Sequence, residues 1–196
     1  MKPGLQTRCA LLAAGLLLTA GCIAPARLDL AYTAPPPVRA IAPSALRVCL
    51  RPVTDGRDPG DESGVFAGRL ILAPNAVRWC QTALNSLVSP ATRIVDTSTA
   101  QEPGEIVAVP RLRKLHIESV AVSKTATVVL EVDYYRAGRP PVQKYYRGKD
   151  VALNWASSGV ECEAAFNHAI GQCMSALRHD LEAGVDPSLQ DGAKSS

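Results

Sequence analysis

The chain has 196 residues, of which 47% are hydrophobic and 20% are charged, and its formal net charge is +3. This length allows one globular core rather than several. Lys2 and Arg8 are two of the 21 basic residues and lie in the leader described next, which leaves 19 basic against 18 acidic residues. A balance so close to neutral argues against a nucleic-acid surface or a site for acidic substrates.

The first residues have the layout of a secretory signal peptide. Lys2 and Arg8 precede an apolar run from Cys9 to Ala20. A basic start, a short apolar stretch and small residues before the cleavage point define such a signal. The run is shorter than the roughly 20 apolar residues that span a bilayer. We therefore predict that residues 1–21 are removed; the alternative is an ordinary secreted protein cut near Ala24.

The residues before the predicted cleavage point resemble the lipobox of bacterial lipoproteins. Leu18-Thr19-Ala20-Gly21-Cys22 matches Leu-x-(Ala/Gly)-(Ala/Gly)-Cys at every defined position. The resemblance implies that Cys22 carries a diacylglycerol thioether, becomes the amino terminus and is N-acylated. Two or more acyl chains hold a protein stably on a membrane. Ile23, instead of an aspartate, fits the sorting signal that lipoprotein families use for release to the outer membrane.

Residues 22–45 are predicted to be a lipidated, proline-rich tether. Proline lacks the amide donor and favours an extended backbone. About twenty such residues at roughly 3.1 Å each would hold a domain up to about 60 Å from the membrane. Residues 46–183 then form one periplasmic domain, and residues 184–196 form a polar, disordered tail. The prolines of the predicted tether are Pro25, Pro35, Pro36, Pro37 and Pro43.

The first part of the domain predicts a strand, a loop, a helix and a second strand. Apolar residues alternate with polar ones over 46–53, which is typical of a strand. Residues 54–64 are dense in Asp and Gly and predict an exposed loop. Asn75 can cap a helix that Ser89-Pro90 ends, and a short strand follows over 92–96. The apolar positions of this helix lie three and four apart: Val77, Cys80, Leu84, Leu87 and Val88.

The second part predicts strands followed by a long helix. Residues 105–109 and 112–122 indicate strands, with Pro110 limiting how regularly they join. Residues 125–135 alternate clearly, and residues 142–153 return as the partner of a hairpin. Ser158 and Glu161 form a capping box at the start of the last helix. Its apolar stripe comprises Cys162, Phe166, Ala169, Ile170, Cys173, Leu177 and Leu181.

This order of elements predicts an α+β domain: a two-layer sandwich of a mostly antiparallel, four- to five-stranded sheet with two helices on one face. The strand ending in Val53-Thr-Asp55-Gly-Arg57 and the hairpin return Lys144-Tyr-Tyr-Arg-Gly148, placed between a lipobox and a terminal helix, resemble the small YajG-type lipoproteins of Gram-negative outer membranes. The resemblance implies an α/β sandwich on the periplasmic side of that membrane. It supplies no activity and no functional residues.

Four cysteines lie in the predicted domain, and export to an oxidising compartment makes disulfides the first hypothesis. Cys162 and Cys173 lie about 16 Å apart along one helix, too far to pair with each other. We predict a bridge from Cys80 to Cys162 or Cys173. Cys49 faces the other side of its strand. The alternative is that all four are small buried hydrophobic residues.

No sequence pattern predicts catalysis, a cofactor or a metal. There is no C-x-x-C or H-x-x-x-H spacing and no G-x-S-x-G elbow. Asp55, Asp58, Asp61 and Glu62 lack the spacing of an EF-hand and are better interpreted as solvated turn residues. We therefore predict no catalytic, cofactor-binding or metal-binding residues.

The predicted hairpin carries aromatic and basic residues that could face a partner. Their outward members would form a patch suited to a partner protein or an anionic glycan. The alternative is cross-strand pairing that only stabilises an exposed face. The candidate residues are Tyr135, Arg136, Arg139, Lys144, Tyr145 and Arg147.

Three functional hypotheses follow. The first is a non-enzymatic, outer-membrane-anchored interaction or assembly domain that recruits an unknown envelope protein through a sheet face or the loop 54–68. The second is an auxiliary lipoprotein subunit of an envelope lipid or solute transport system, which would need an apolar groove. The third, a hydrolase, lacks a nucleophile–base pair.

Overall fold

The computed structural model describes residues 24–33, 47–58, 63–88, 92–94, 105–155 and 158–183. Within these ranges the chain forms nine strands and two helices. The predicted signal peptide (1–21), Cys22 and the predicted tail (184–196) lie outside them. The strands are β1 (Ala26–Arg27), β2 (Arg47–Leu50), β3 (Thr54–Asp55), β4 (Gly64–Phe66), β5 (Arg69–Leu72), β6 (Thr92–Ile94), β7 (Glu105–Val120), β8 (Ser123–Arg136) and β9 (Val142–Leu153); the helices are α1 (Ala76–Asn85) and α2 (Gly159–Glu182).

Three long antiparallel strands form the centre of the sheet. β7 pairs with β8 from Ile106 opposite Arg136 to Val120 opposite Ser123, with one irregularity between Leu112 and Lys114. β8 pairs with β9 along nearly its whole length. The alternation of β8 and β9 in the sequence predicts this hairpin, and its bounds on β9 agree with the prediction.

The other side of β7 is lined by short parallel strands. β2, β3 and β4 pair in turn with successive stretches of β7. β6 adds to β2 in parallel, β5 adds to β4 antiparallel, and β1 adds to β5 in parallel. The predicted four- to five-stranded, mostly antiparallel sheet is therefore wrong: the sheet has nine strands and is mixed. Strands of two to four residues are too short for a readable alternation, and the predicted loop and tether contribute three of them.

Pro110 lies inside β7 without interrupting it. The carbonyl groups of Ala108 and Leu112 accept hydrogen bonds from the N–H groups of Arg51 and Gly56. The backbone polar groups of residues 108, 110 and 112 therefore point to the same side of the strand. Pro110 faces the gap between β2 and β3, so its missing N–H removes no ladder bond. One strand of 16 residues replaces the two that the sequence predicts.

Both helices cover one face of the sheet, as predicted. The α1 ring of Trp79 meets the α2 ring of Phe166 edge to face, with centroids 6.4 Å apart. The Ser158 hydroxyl accepts the N–H of Glu161, as the capping-box spacing predicts. The buried contacts of this layer include Phe166, Ile170, Cys173 and Leu177 from α2 and Val128, Leu130 and Val132 from β8.

Gly148 sets how closely α2 approaches the sheet. A Cβ atom on this β9 residue would lie 1.7 Å from the carbonyl oxygen of Ala169 on α2. No larger residue fits there unless the helix moves, so the absent side chain allows the backbones to come into contact.

The described part of the predicted tether, residues 24–33, packs on the domain. β1 extends the sheet, and the buried side chain of Leu30 joins the core. Asn75, expected to cap α1, makes no side-chain cap bond. Its amide instead accepts the N–H of Leu30 and donates to the Leu30 carbonyl. The side chain of Asn167 on α2 donates to the Ala31 carbonyl at 2.9 Å. This stretch is therefore not a free spacer.

Candidate interaction surface on the open face of the sheet

The two faces of the central strands differ in what covers them. Even-numbered residues of β8, such as Val128 and Leu130, lie under the helices. Odd-numbered residues, such as Val129 and Glu131, point to the opposite face. No helix of the described residues packs on that face, which we call the open face. The side chains of the open face are therefore the candidate partner site.

A network of ion pairs lies in the middle of the open face. Arg111 Nη1 lies 2.7 Å from Glu131 Oε1 and 2.7 Å from Asp133 Oδ2. Arg113 Nε lies 3.4 Å from the other Glu131 oxygen, and Gln143 donates to Asp133 at 3.0 Å. Both carboxylates are buried, whereas the two guanidinium groups are partly exposed. The hydrogen bond with Glu131 raises the pKa of Arg111 above its ordinary value.

Next to this network lies a group of cations that we call the basic stripe: Arg113, Lys114, Arg147 and Lys149. Lys114 and Arg147 both pair with Val129, from opposite sides, so they flank it at the spacing of two strands, about 10 Å. Lys149 lies in the next row, opposite Thr127. All four side chains are exposed.

Most of the positive charge of the basic stripe is not compensated by carboxylates of the described residues. Among the described residues, no carboxylate forms an ion pair with Lys114, Arg147 or Lys149. The nearby acids, Glu131 and Asp133, are already bonded to arginines. The stripe is therefore a cationic surface that can attract negative charge.

Tyr145 lies at the edge of the basic stripe and is 59% exposed. It pairs with Glu131 across β8 and β9, and a hydrogen bond with Glu131 is the main cause that raises the pKa of its phenol. The Tyr145 hydroxyl also bonds to Gln143 at 3.2 Å. An exposed aromatic ring is thus held beside exposed arginines, a composition that protein interfaces favour.

The residues predicted as a partner surface divide between two sides of the hairpin. Tyr135, Tyr145 and Arg147 are exposed, and register places them on the open face. Lys144 instead points to the helices, with Nζ 3.1 Å from Asp180 Oδ2 on α2.

The other two members of that predicted set lie near the β8–β9 turn. Arg136 is half-buried at the end of β8 and accepts, through its carbonyl, the N–H of the exposed Arg139. Neither belongs to the basic stripe. Strand alternation alone separates Lys144 from Tyr145, because neighbouring residues of a strand face opposite sides.

Sequence reasoning missed the β7 half of the surface. Arg111, Arg113, Lys114 and His116 share a polar stretch of β7. The irregularity between Leu112 and Lys114 shifts the alternation, so that Lys114 reaches the open face while Leu115 is buried. A bulge of this kind re-aims side chains and leaves no clear signal in the sequence.

The four cysteines of the domain are buried free thiols, and the structure contains no bridge from Cys80 to Cys162 or Cys173. Burial raises the pKa of all three of these thiols to about 12. A charge on Cys173 would also raise the pKa of Cys80, so α1 and α2 bring these two close together. Cys49 lies on the opposite side of the sheet, with Sγ 2.7 Å from Glu105 Oε1.

A second polar cluster lies beneath α2. The hydroxyl groups of Tyr134 and Tyr146 are 2.6 Å apart, and Tyr146 donates to Asp180 Oδ2 at 2.7 Å. Lys144 completes the cluster at the same carboxylate oxygen. Burial raises the pKa of both tyrosines. These groups satisfy one another and connect β8, β9 and α2, which is typical of a structural network.

The described residues contain no group of three or more His, Cys, Asp or Glu side chains placed to hold a metal ion. A hollow of about 880 Å³ lies between the amino-terminal segment and the outer side of α1. Arg27, Leu28, Val53 and Arg78 contribute to its walls. It does not enter the layer between helices and sheet, which core side chains fill. No helix in the described ranges is long and apolar enough to cross a membrane.

Comparison with known proteins identifies the fold. No family model and no curated protein matches the chain. A solved structure of a Xanthomonas campestris protein from the DUF330 family is similar, with a TM-score of 0.50 and 13% identity, over 81% of this chain and 95% of that one. The chain therefore shares the fold of that protein.

Weaker structural matches are a hypothetical protein from Chlamydia trachomatis and a dodecameric PelC variant from Paraburkholderia phytofirmans. The first has a TM-score of 0.42 and 11% identity, over 72% of this chain and 96% of that one. The second has a TM-score of 0.30 and 9% identity, over 65% and 86%. Similarity this low carries no argument about function. The resemblance to YajG-type lipoproteins stays a prediction.

Proposed function

We propose that this chain is a non-enzymatic lipoprotein, anchored through Cys22 to the periplasmic face of the outer membrane, whose open sheet face binds an acidic surface of an envelope protein. The lipobox supports the anchor. The single observation that carries the binding role is the basic stripe beside Tyr145, because three of its four cations, Lys114, Arg147 and Lys149, have no acidic partner among the described residues.

The shape of the open face favours a protein over a small ligand. Small molecules bind in concave sites that enclose most of their surface, whereas the basic stripe lies on the exposed face of a sheet. Arg111 and Arg113 are held in place by Glu131 and Asp133. Fixed arginines lose little conformational entropy on binding, which favours association with a complementary surface.

The hypothesis of a transport subunit requires an apolar groove between the helices and the sheet. In the described part of the chain that layer is closed by core side chains. No observation therefore favours it over the interaction domain.

A photocrosslinking amino acid at Tyr145 in intact cells tests the binding role. We expect a crosslinked adduct that the double substitution Lys114→Glu/Arg147→Glu abolishes, since charge reversal repels an acidic surface. The matched control is Arg78→Glu on α1, where the side chain is also exposed but lies outside the stripe. An adduct that survives the double substitution, or is lost equally with the control, would reject the proposed surface.

The anchor needs its own test. Cys22→Ser removes the sulfur to which the diacylglycerol would be attached, so we expect a protein that no longer needs detergent for extraction. Mass spectrometry of the mature amino-terminal peptide should show acyl chains in the parent. A parent peptide without them would reject the anchor and leave the crosslinking result to be judged separately.

A further inference from the structure

One end of the sheet presents five large apolar side chains that we call the apolar rim: Val120, Val122, Leu153, Trp155 and Val160. Each is between 52% and 82% exposed. Two lie at the turn between β7 and β8, two lie at the end of β9 and just after it, and one lies in the first turn of α2. Exposed apolar groups gathered in this way mark an interaction site more often than single ones do.

Strand registers place the amino-terminal end of the described chain at this same end of the sheet. β1 runs parallel to β5 with Ala26 opposite Ile71, so Ala24 lies level with Arg69. The Arg69 guanidinium is 3.5 Å from the carbonyl oxygen of Ala24. Arg69 pairs in turn with Phe66 on β4.

The row continues from β4 to the apolar rim. The N–H of Ala67, just after β4, donates to the Ser119 hydroxyl near the end of β7 at 3.1 Å. Val120 pairs with Ser123, and Ser123 pairs with Leu153. Six neighbouring strands, in the order β1, β5, β4, β7, β8 and β9, therefore each contribute residues to one row at this end of the sheet. At about 4.8 Å per strand, the row is roughly 24 Å long.

The start of α2 adjoins this row. A Cβ atom on Gly159 would lie 3.6 Å from Leu28 Cδ1 in the amino-terminal segment. Glu161 accepts the N–H of Trp155 at 3.3 Å. Val160 and Trp155 are thus held at the same end of the molecule as Ala24.

Cys22 precedes Ala24 by two residues, so its Cα can lie at most about 7 Å from that of Ala24. Acyl chains on Cys22 would therefore enter the membrane beside the row. Resting on the anchor of the proposed function, we infer that the apolar rim lies in the lipid interface and fixes the orientation of the domain on the membrane.

The composition of the apolar rim suits a bilayer surface. Trp155, the most exposed of its members, is of the residue type that concentrates where apolar chains meet headgroups. The aliphatic side chains beside it add buried area, and Arg69 in the same row is exposed at the level of headgroup phosphates. The strands then stand end-on to the membrane, and the basic stripe faces sideways toward the periplasm. The domain is held at the membrane rather than about 60 Å from it.

The two tryptophans make this inference measurable. Trp79 is buried and Trp155 is exposed, so Trp79→Phe leaves Trp155 as the reporter. We would reconstitute the acylated full-length mature protein in phosphatidylcholine vesicles, with and without bromine on the lipid acyl chains. We expect Trp155 emission to shift to the blue and the brominated lipid to reduce it about twofold. The inference would be overturned if Trp155 in vesicle-bound protein emitted at the wavelength typical of water and was not quenched by brominated lipid.

Substitutions in the apolar rim give a matched comparison. Val122→Asp/Leu153→Asp should lower the quenching of Trp155, because charged side chains are expelled from the interface. Val88→Asp is the control, since Val88 is exposed beyond the carboxyl end of α1 and outside the rim. Equal quenching in both variants would count against the rim. If Trp79→Phe fails to fold, the parent chain serves, because its buried Trp79 does not meet the lipid.

The failure of the anchor and the failure of the rim give different results. An amino-terminal peptide without acyl mass rejects the anchor and the rim with it. Acylated protein that floats with the vesicles while Trp155 remains in water rejects the rim alone.

Discussion

The two faces of the sheet bury polar groups in different ways. On the covered face, Tyr134, Tyr146 and Asp180 are linked by short hydrogen bonds beneath α2. On the open face, Glu131 and Asp133 are also buried, but partly exposed arginines cover them rather than a second layer. Removing a polar group on the covered face leaves its hydrogen-bond partner unpaired and out of reach of water. Removing one on the open face leaves charges that solvent can still reach.

This difference teaches where stability and recognition reside in the fold. The covered face joins three elements through packed side chains, so its polar groups contribute to a single closed structure. The open face uses its acids to hold two arginines, and Lys114, Arg147 and Lys149 remain without an acidic partner in the described ranges. Substitutions should therefore affect unfolding on one face and binding on the other.

Alkaline pH should give the largest effect, because the covered layer buries Cys80, Cys162 and Cys173. Their pKa is about 12 in the folded protein, against about 8.5 for a free thiol. A pKa raised by folding gives stability that is complete below about pH 8.5 and is lost as pH rises toward 12. Each thiol contributes a slope of about 1.4 kcal/mol per pH unit. Urea unfolding at pH 8 and pH 11 should differ by several kcal/mol.

The double variant Cys80→Ala/Cys173→Ala should make this slope shallower even though it lowers stability at pH 8. An unchanged slope would contradict the assignment to the thiols. The premise is checked by counting thiols in the unfolded mature protein without reductant. Four reactive thiols are expected, whereas two would restore the bridge between the helices that the sequence predicts.

Contact between α2 and the sheet should give the next largest effect. Gly148→Ala places a methyl group within 1.7 Å of the Ala169 carbonyl oxygen, so α2 must shift, at a cost of about 3 kcal/mol. Gly171→Ala, on α2 itself, is the matched control, since nothing lies near its added methyl. It should stabilise the protein by up to about 1 kcal/mol. Chemical denaturation of both variants measures the difference. If the two variants had similar free energies of unfolding, the close approach of the α2 and β9 backbones would not require glycine at position 148.

A pair of isosteric substitutions compares the two faces directly. Tyr146→Phe leaves Tyr134 and Asp180 without their shared partner and should cost about 1–3 kcal/mol, with little dependence on salt. Glu131→Gln weakens pairs with partly exposed arginines and should cost about 1 kcal/mol or less. The second cost should shrink in 1 M NaCl because the Debye length falls to about 3 Å. The free energies of unfolding are measured at low and at high salt. If salt changed the costs of both substitutions equally, the contrast between the faces would be wrong.

The sequence predicts the elements whose signals are local. The capping box at Ser158 identifies where α2 begins, and the apolar stripe, which extends over many turns, identifies its buried face. β8 and β9 alternate over at least twelve residues, which identifies the hairpin. In these segments the residues that face the core are spaced by the period of the element itself.

The elements that could not be predicted depend on contacts with residues far away in the sequence. β1, β3 and β4 have only two or three residues each, and they are strands because β5 or β7 offers an edge. Leu30 is buried because Asn75 and Asn167 bind the backbone beside it. The basic stripe shares this difficulty, since the irregularity in β7 and the pairing of three strands bring its members together.

The smallest expected change in stability concerns the basic stripe. Lys114→Glu/Arg147→Glu should alter the free energy of unfolding by no more than about 0.5 kcal/mol, since both side chains are exposed and neither has an acidic partner in the described part of the chain. The same variant should lose the crosslink from Tyr145. Denaturation and crosslinking on one preparation test both statements. A cost above about 1 kcal/mol would mean that the stripe stabilises the sheet; a folded, equally stable protein that no longer binds would separate recognition on the open face from stability on the covered one.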